Sequence, residues 1–136
     1  MKNIILEKIT FLYRVFYLAK TWGFIKILIF IPFEIYYGLK LRTKTLFSLN
    51  NKELDIKESI KENSTEYFPT PYYVMHEISK KIKEDLKDAV FIDFGSGAGR
   101  VLSFILKFKP KKIIGIELSK KLCQISNDNL ENKIKK

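Results

Sequence analysis

Asp93, Gly95, Gly97 and Gly99 fall at successive two-residue steps in Val-Phe-Ile-Asp-Phe-Gly-Ser-Gly-Ala-Gly-Arg, residues 90–100. Glycines at this spacing let a loop enter left-handed conformations and let a ligand approach the backbone with no Cβ in the way. Before the loop, Val90 to Phe94 is a short β-branched and aromatic run bounded by Asp88 and Gly95, which predicts a buried parallel strand. After it, Arg100 to Phe108 takes a helical pattern with Val101, Leu102, Ile105 and Leu106 on one side. A second strand, Ile113 to Glu117, follows Lys109-Pro110-Lys111-Lys112, and Ser119 is the expected N-cap of another helix.

Strand, helix and strand in this order call for a right-handed parallel crossover, which brings the glycine loop and Glu117 to the carboxyl ends of adjacent strands. Open α/β sheets bind ligands at that edge. Glu117 comes twenty-two residues after Gly95, near the spacing of about 20 at which an acidic residue holds the ribose hydroxyls of a nucleotide. A dinucleotide fingerprint needs its third glycine where this chain has Arg100, and its pyrophosphate is poorly matched to the carboxylate of Asp93. A carboxylate at that point suits the ammonium and sulfonium charges of S-adenosylmethionine (SAM) instead. The bland alternative is that Asp93 caps the next helix and Glu117 is a surface carboxylate.

Residues 1–41 are strongly apolar: from Asn3 to Lys20 the polar positions Asn3, Glu7, Thr10 and Arg14 leave a narrow stripe on an otherwise apolar helix, and Trp22 to Leu41 continues in that style, with Pro32 expected to kink or restart the helix. The longest charge-free run there, Ile27 to Phe33, is too short to span a bilayer, and no small-residue cleavage site marks a secretory signal. Residues 42–66 are a polar connector with turn signals at Asn50-Asn51 and Asn63-Ser64. In residues 67–136, Tyr67 to Tyr73 is held extended by two prolines, and a helix begins with Thr70 or Pro71 in its first positions and runs to about Leu86.

The net charge of +10 comes almost wholly from Lys, with Arg only at positions 14, 42 and 100, and residues 1–50 hold eight basic residues against Glu7 and Glu34. Such an excess within the most apolar segment suits an anionic membrane surface or an acidic partner, while a solvated lysine face is the plainer explanation. Few Arg and no recognisable reading motif speak against nucleic acid. A single cysteine, Cys123, precludes an intrachain disulfide and offers no zinc spacing, so no metal is expected and a reducing, cytoplasmic setting fits, peripheral to the inner face of the membrane if residues 1–41 bind it. His76, the only histidine, sits beside Met75 and Ile78 as a half-buried helix residue more readily than as a base.

The stretches VFIDFGSGAGRVL and KKIIGIELSKKLCQISNDNL resemble motif I and its acidic successor in bacterial class I SAM-dependent methyltransferases, in a group with an amphipathic N-terminal region and a Y-x-P-T-P segment like YFPTPYYVMHEI here. The resemblance implies an α/β fold: N-terminal helices followed by the first βαβα half of a Rossmann-like methyltransferase fold with an incomplete sheet. It also implies that Asp93, Gly95, Ser96, Gly97 and Gly99 surround the methionine part of SAM, that Glu117 binds the ribose hydroxyls, and that Tyr67 or Thr70 closes over the cofactor; Arg100 starts a helix. Members of that family continue through further strands, so the expectation is the cofactor-binding N-terminal portion of such an enzyme, weak or inactive alone, with an unknown methyl acceptor. A truncated product, a fragment, or a second chain completing the sheet would each account for two strands that cannot cover themselves. The contrasting expectation is a non-catalytic membrane-surface or partner-binding module whose nucleotide fold is vestigial.

Overall fold

The computed structural model describes residues 20, 23–43, 45, 53–62 and 67–134. The helix expected over Asn3 to Lys20 and the turns expected at Asn50-Asn51 and Asn63-Ser64 lie outside the described residues, apart from Lys20. In chain order the elements are helix α1 (Phe24–Leu41), the single turn α2 (Glu58–Lys61), helix α3 (Tyr72–Leu86), strand β1 (Val90–Phe94), helix α4 (Arg100–Ile105) running into a 3-10 turn (Leu106–Phe108), strand β2 (Lys112–Ile116) and helix α5 (Lys120–Ile134). This is the first βαβα half of a Rossmann-like α/β fold preceded by helices, with a sheet of two strands.

The strands pair in parallel, with Asp93 opposite Gly115 and Phe94 opposite Ile116, so both chains leave the sheet at the same edge. Helix α1 packs on α3, α3 on α4, and α4 on both β2 and α5. The main core forms where these meet, from Tyr37 of α1, Tyr72, Met75 and Leu86 of α3, and Phe104 and Ile105 of α4, with Phe91 of β1 packed against it. A smaller cluster of Leu54, Ala98 and Leu122 lies under the loop, where the polar connector crosses it.

Three expectations change. Strand β1 is not buried on both faces: Phe91 and Asp93 turn toward the helices, while Val90, Ile92 and Phe94 are exposed, as are Ile116 and Leu118. The reason is topological, since the helices α3, α4 and α5 lie on one side of a two-stranded sheet and nothing among the described residues covers the other. Pro32 does not restart the helix; α1 runs through it from Phe24 to Leu41. Pro32 and Leu28, the residue whose carbonyl loses its helical donor to Pro32, both lie on the exposed side of the helix. Helix α3 begins at Tyr72, with Pro71 as its extended N-cap residue and Thr70 outside it.

Candidate functional site

The loop leaves β1 in a left-handed path, with φ of 73° at Gly95, 52° at Gly97 and 74° at Gly99. Its two ends are pinned to β2 and to α5. Gly95 N and Ser96 N both donate to Ile116 O, at 2.7 and 3.1 Å, which holds the loop over the end of the neighbouring strand. Asn129 Nδ2 donates to Ala98 O at 2.9 Å, and a Cβ added to Gly99 would enter Ser126, so the loop also lies flat on α5. At Gly97 the close neighbour is the ring of Tyr67, which a Cβ would overlap; at Gly95 a Cβ would meet nothing within 4 Å. Tyr67 thus walls one side of the loop, and the Gly95 side is open.

Glu117, directly after β2, closes the gap between the two strand ends. Its Oε2 accepts from Gly97 N at 2.9 Å, and its Oε1 accepts from Leu118 N at 2.8 Å and Ser119 N at 2.9 Å. A carboxylate has about four acceptor positions, so one remains for an incoming donor. Asp93 is different: it is half-buried, and its Oδ2 is buried with no hydrogen-bond partner among the described residues. Burial pushes its carboxyl above the ordinary range, and the neighbouring Glu117 carboxylate adds to the rise. Neither carboxylate has an ion-pair partner among the described residues, so two carboxylates unmatched by a cation stand side by side at the strand ends. Such an arrangement suits a group carrying positive charge.

Of the expected site residues, Asp93 and Glu117 stand at adjacent strand ends, Gly97 is bonded to Glu117 and faced by Tyr67, Gly95 and Ser96 are held on Ile116 O, and Gly99 lies against Ser126 of α5. Burial raises the Tyr67 phenol above its usual range, consistent with its position under the loop. Thr70 is exposed, and its carbonyl is engaged by Arg100 Nη1 at 3.0 Å, so the structure gives Thr70 a backbone role. Ser119 Oγ accepts from Leu122 N at 3.3 Å, as an N-cap does, and itself donates to Asp55 Oδ1 at 2.5 Å. His76 lies with its ring 5.0 Å from that of Phe33 and 6.4 Å from that of Tyr37; burial lowers its pKa. A cavity of about 330 Å³ lined by Ser96, Gly115, Cys123 and Ser126, among others, opens behind the loop, between α4, α5 and β2, and neither Asp93 nor Glu117 lines it. Among the described residues no three His, Cys, Asp or Glu side chains are grouped to hold a metal, and no helix is long and apolar enough to cross a membrane.

The residues that sequence reasoning missed stand behind the loop. Arg100 is buried, donates through Nη1 to Glu34 Oε2 at 2.8 Å and through Nε to Thr45 Oγ1 at 3.1 Å, and stacks 4.2 Å from the Tyr72 ring centroid. Glu34 Oε1 accepts from Tyr72 N, so the α1 carboxylate also caps α3, whose own N-cap residue supplies no side chain. Thr43 Oγ1 joins Thr45 and the Tyr72 hydroxyl to the same network. One signal was available: a lone acid in an apolar helix must find a cation or a donor when it is buried.

No curated protein and no solved structure matches the chain. A family model does: the one described as histone methylation protein DOT1 matches residues 47–136, well over half of the sequence and all of the loop, both strands and α5. The chain therefore belongs to the DOT1 family of SAM-dependent methyltransferases.

Proposed function

We propose that residues 67–136 bind SAM at the end of β1 and β2, as the cofactor-binding part of a class I methyltransferase of the bacterial kind that the motif resembles. The observation that carries this reading is the half-buried carboxylate of Asp93 beside the left-handed loop, whose Oδ2 has no hydrogen-bond partner among the described residues. A buried carboxylate without a partner is costly, and a cationic ligand at the strand end supplies one. The residues present fit that ligand. Asp93 faces the positively charged methionine part, the open side of Gly95 admits it against the backbone, and Tyr67 walls the opposite side. Glu117 offers its remaining acceptor position to one ribose hydroxyl and takes a second by exchanging one of its backbone bonds.

When bound, SAM supplies a methyl group activated by its sulfonium. The chain's own contribution is to hold and orient, with the loop fixed to β2 by two backbone bonds and to α5 by Asn129. No side chain is assigned as a base, and the methyl acceptor is a nucleophile that reaches the carboxyl edge of the sheet. Calorimetry with SAM and with S-adenosylhomocysteine, on the chain and on a Gly97→Arg variant, tests the reading. Saturable binding by the chain and none by the variant is expected; equal binding in both, or absence of binding in both, refutes a formed site.

A further inference from the structure

Helix α1 is anchored on one side and bare on the other. Its inner side carries Tyr37, which is buried, Phe33 and Leu41, which pack on the core, and Glu34, which is held by Arg100 and Tyr72. The outer side carries Leu28, Ile29, Ile35, Tyr36 and Leu39, each between 46% and 73% exposed, with Pro32 exposed among them. These positions recur at the spacing of a single helical face. Scattered exposed apolar side chains need no explanation, but a continuous stripe along a helix of 18 residues does.

The charge placed beside the stripe is positive. The ionisable residues from Phe24 to Leu41, tyrosines aside, are Lys26, Glu34 and Lys40, and the only carboxylate among them, Glu34, points inward with its charge matched by Arg100. Lys40 flanks the stripe: its Nζ donates to Tyr36 Oη at 3.0 Å and lies 5.2 Å from the Tyr36 ring centroid. Lys20 and Arg42, both exposed, stand before and after the helix, and Lys44 follows in the sequence.

We infer that this face of α1 lies on an anionic lipid surface, in the plane of the interface, with Leu28, Ile29, Ile35 and Leu39 entering the acyl boundary and Tyr36 and Lys40 at the headgroup level. An apolar face bordered by lysine and tyrosine is the composition that interfacial helices use. The helix does not cross, since no described helix is long and apolar enough to do so. A second copy of the chain is a poorer occupant, because pairing two stripes brings together molecules that each carry a net charge of +10. The inference stands on α1 alone and is independent of SAM binding.

The full chain is floated with phosphatidylcholine vesicles, either pure or containing about 30% phosphatidylglycerol. Binding is expected to the anionic vesicles. Raising salt from about 0.05 M to 0.5 M weakens it severalfold without abolishing it, as expected where charge attracts and apolar burial retains. Leu28→Glu with Leu39→Glu lowers the bound fraction about tenfold or more, since both side chains exchange apolar burial for charge. Leu39→Gln, which adds no charge, gives a smaller loss in the same direction, and far-UV circular dichroism identifies any variant that fails to fold. No flotation with anionic vesicles at low salt overturns the inference, as does unchanged binding by folded variants. A dimer that the same substitutions dissociate, in a chain that ignores vesicles, assigns the stripe to self-association instead.

Discussion

Arg100 Nη1 meets Glu34 Oε2 at 2.8 Å, joining the first helical residue after the glycine loop to a carboxylate sixty-six positions earlier. Side-chain exposures of 4% and 12% make this a largely buried pair. The guanidinium also engages Thr45, the Thr70 carbonyl and the face of Tyr72, and Glu34 in turn holds the first N–H of α3. The N-terminal helix, the segment before β1 and the start of α4 are therefore fixed to one another through two charges. Since α4 begins where the loop ends, the position of the loop depends on a helix outside the βαβα unit.

Removing either charge leaves the other without an opposite charge, with only its neutral hydrogen-bond partners. Arg100→Met and Glu34→Gln are each expected to lower the unfolding free energy by about 3–5 kcal/mol. The double substitution costs less than the sum, because it leaves no isolated charge. Urea unfolding followed by circular dichroism gives the cycle; strictly additive losses would mean that the two side chains do not act as a pair.

Two glycines of the loop separate backbone strain from steric contact. Gly95→Ala meets open space and carries only the left-handed penalty, about 1–2 kcal/mol. Gly97→Ala carries the same penalty and also drives a methyl into the Tyr67 ring, so its loss is larger. Combining Gly97→Ala with Tyr67→Ala recovers the steric part. Equal losses at Gly95 and Gly97 would contradict the placement of Tyr67.

The strand, loop, strand sequence was legible because each step has a local cause. Alternating glycines mark the loop, β-branched runs mark the strands, and Glu117 follows at the distance that a crossover helix sets. Ser119 declared itself as a cap by residue type. The Arg100–Glu34 pair was not legible in the same way, because nothing local tells a buried acid in α1 which cation it meets. The exposed face of Val90, Ile92 and Phe94 follows from the two-stranded sheet: strand composition reports what a face is suited to bury, not which layers are present to bury it. Thr70, expected with Tyr67 as a residue that closes over the cofactor, has its carbonyl held by Arg100.

Ser119 joins α5 to the connector, since its hydroxyl accepts from Leu122 N and donates to Asp55. Ser119→Ala removes both and is expected to cost about 1 kcal/mol as a lost N-cap. Limited proteolysis should then cut residues 53–62 faster than in the parent chain, because Asp55 retains only Lys121 N as an α5 partner. An unchanged cleavage rate would show that the Asp55 bond does not hold the connector.

Asp93 gives stability and ligand binding opposite responses to one substitution. Burial, and then the Glu117 carboxylate, raise its pKa above the ordinary 3.8. The folded chain therefore holds the Asp93 proton to higher pH than the unfolded chain does. Its contribution to stability is fully present below the unfolded value and is lost as pH rises through the folded one. Asp93→Asn cannot ionise, so it is expected to be more stable than the parent near about pH 7 and to lack this part of the pH slope. Binding of SAM should change the other way. A cationic ligand favours the ionised carboxylate, so affinity in the parent rises with pH through the Asp93 transition, and the asparagine variant binds weakly with no such rise. Chemical denaturation and calorimetry across the acidic range measure the two trends on the same samples. A variant that keeps the parent's pH slope in both would remove Asp93 from the site.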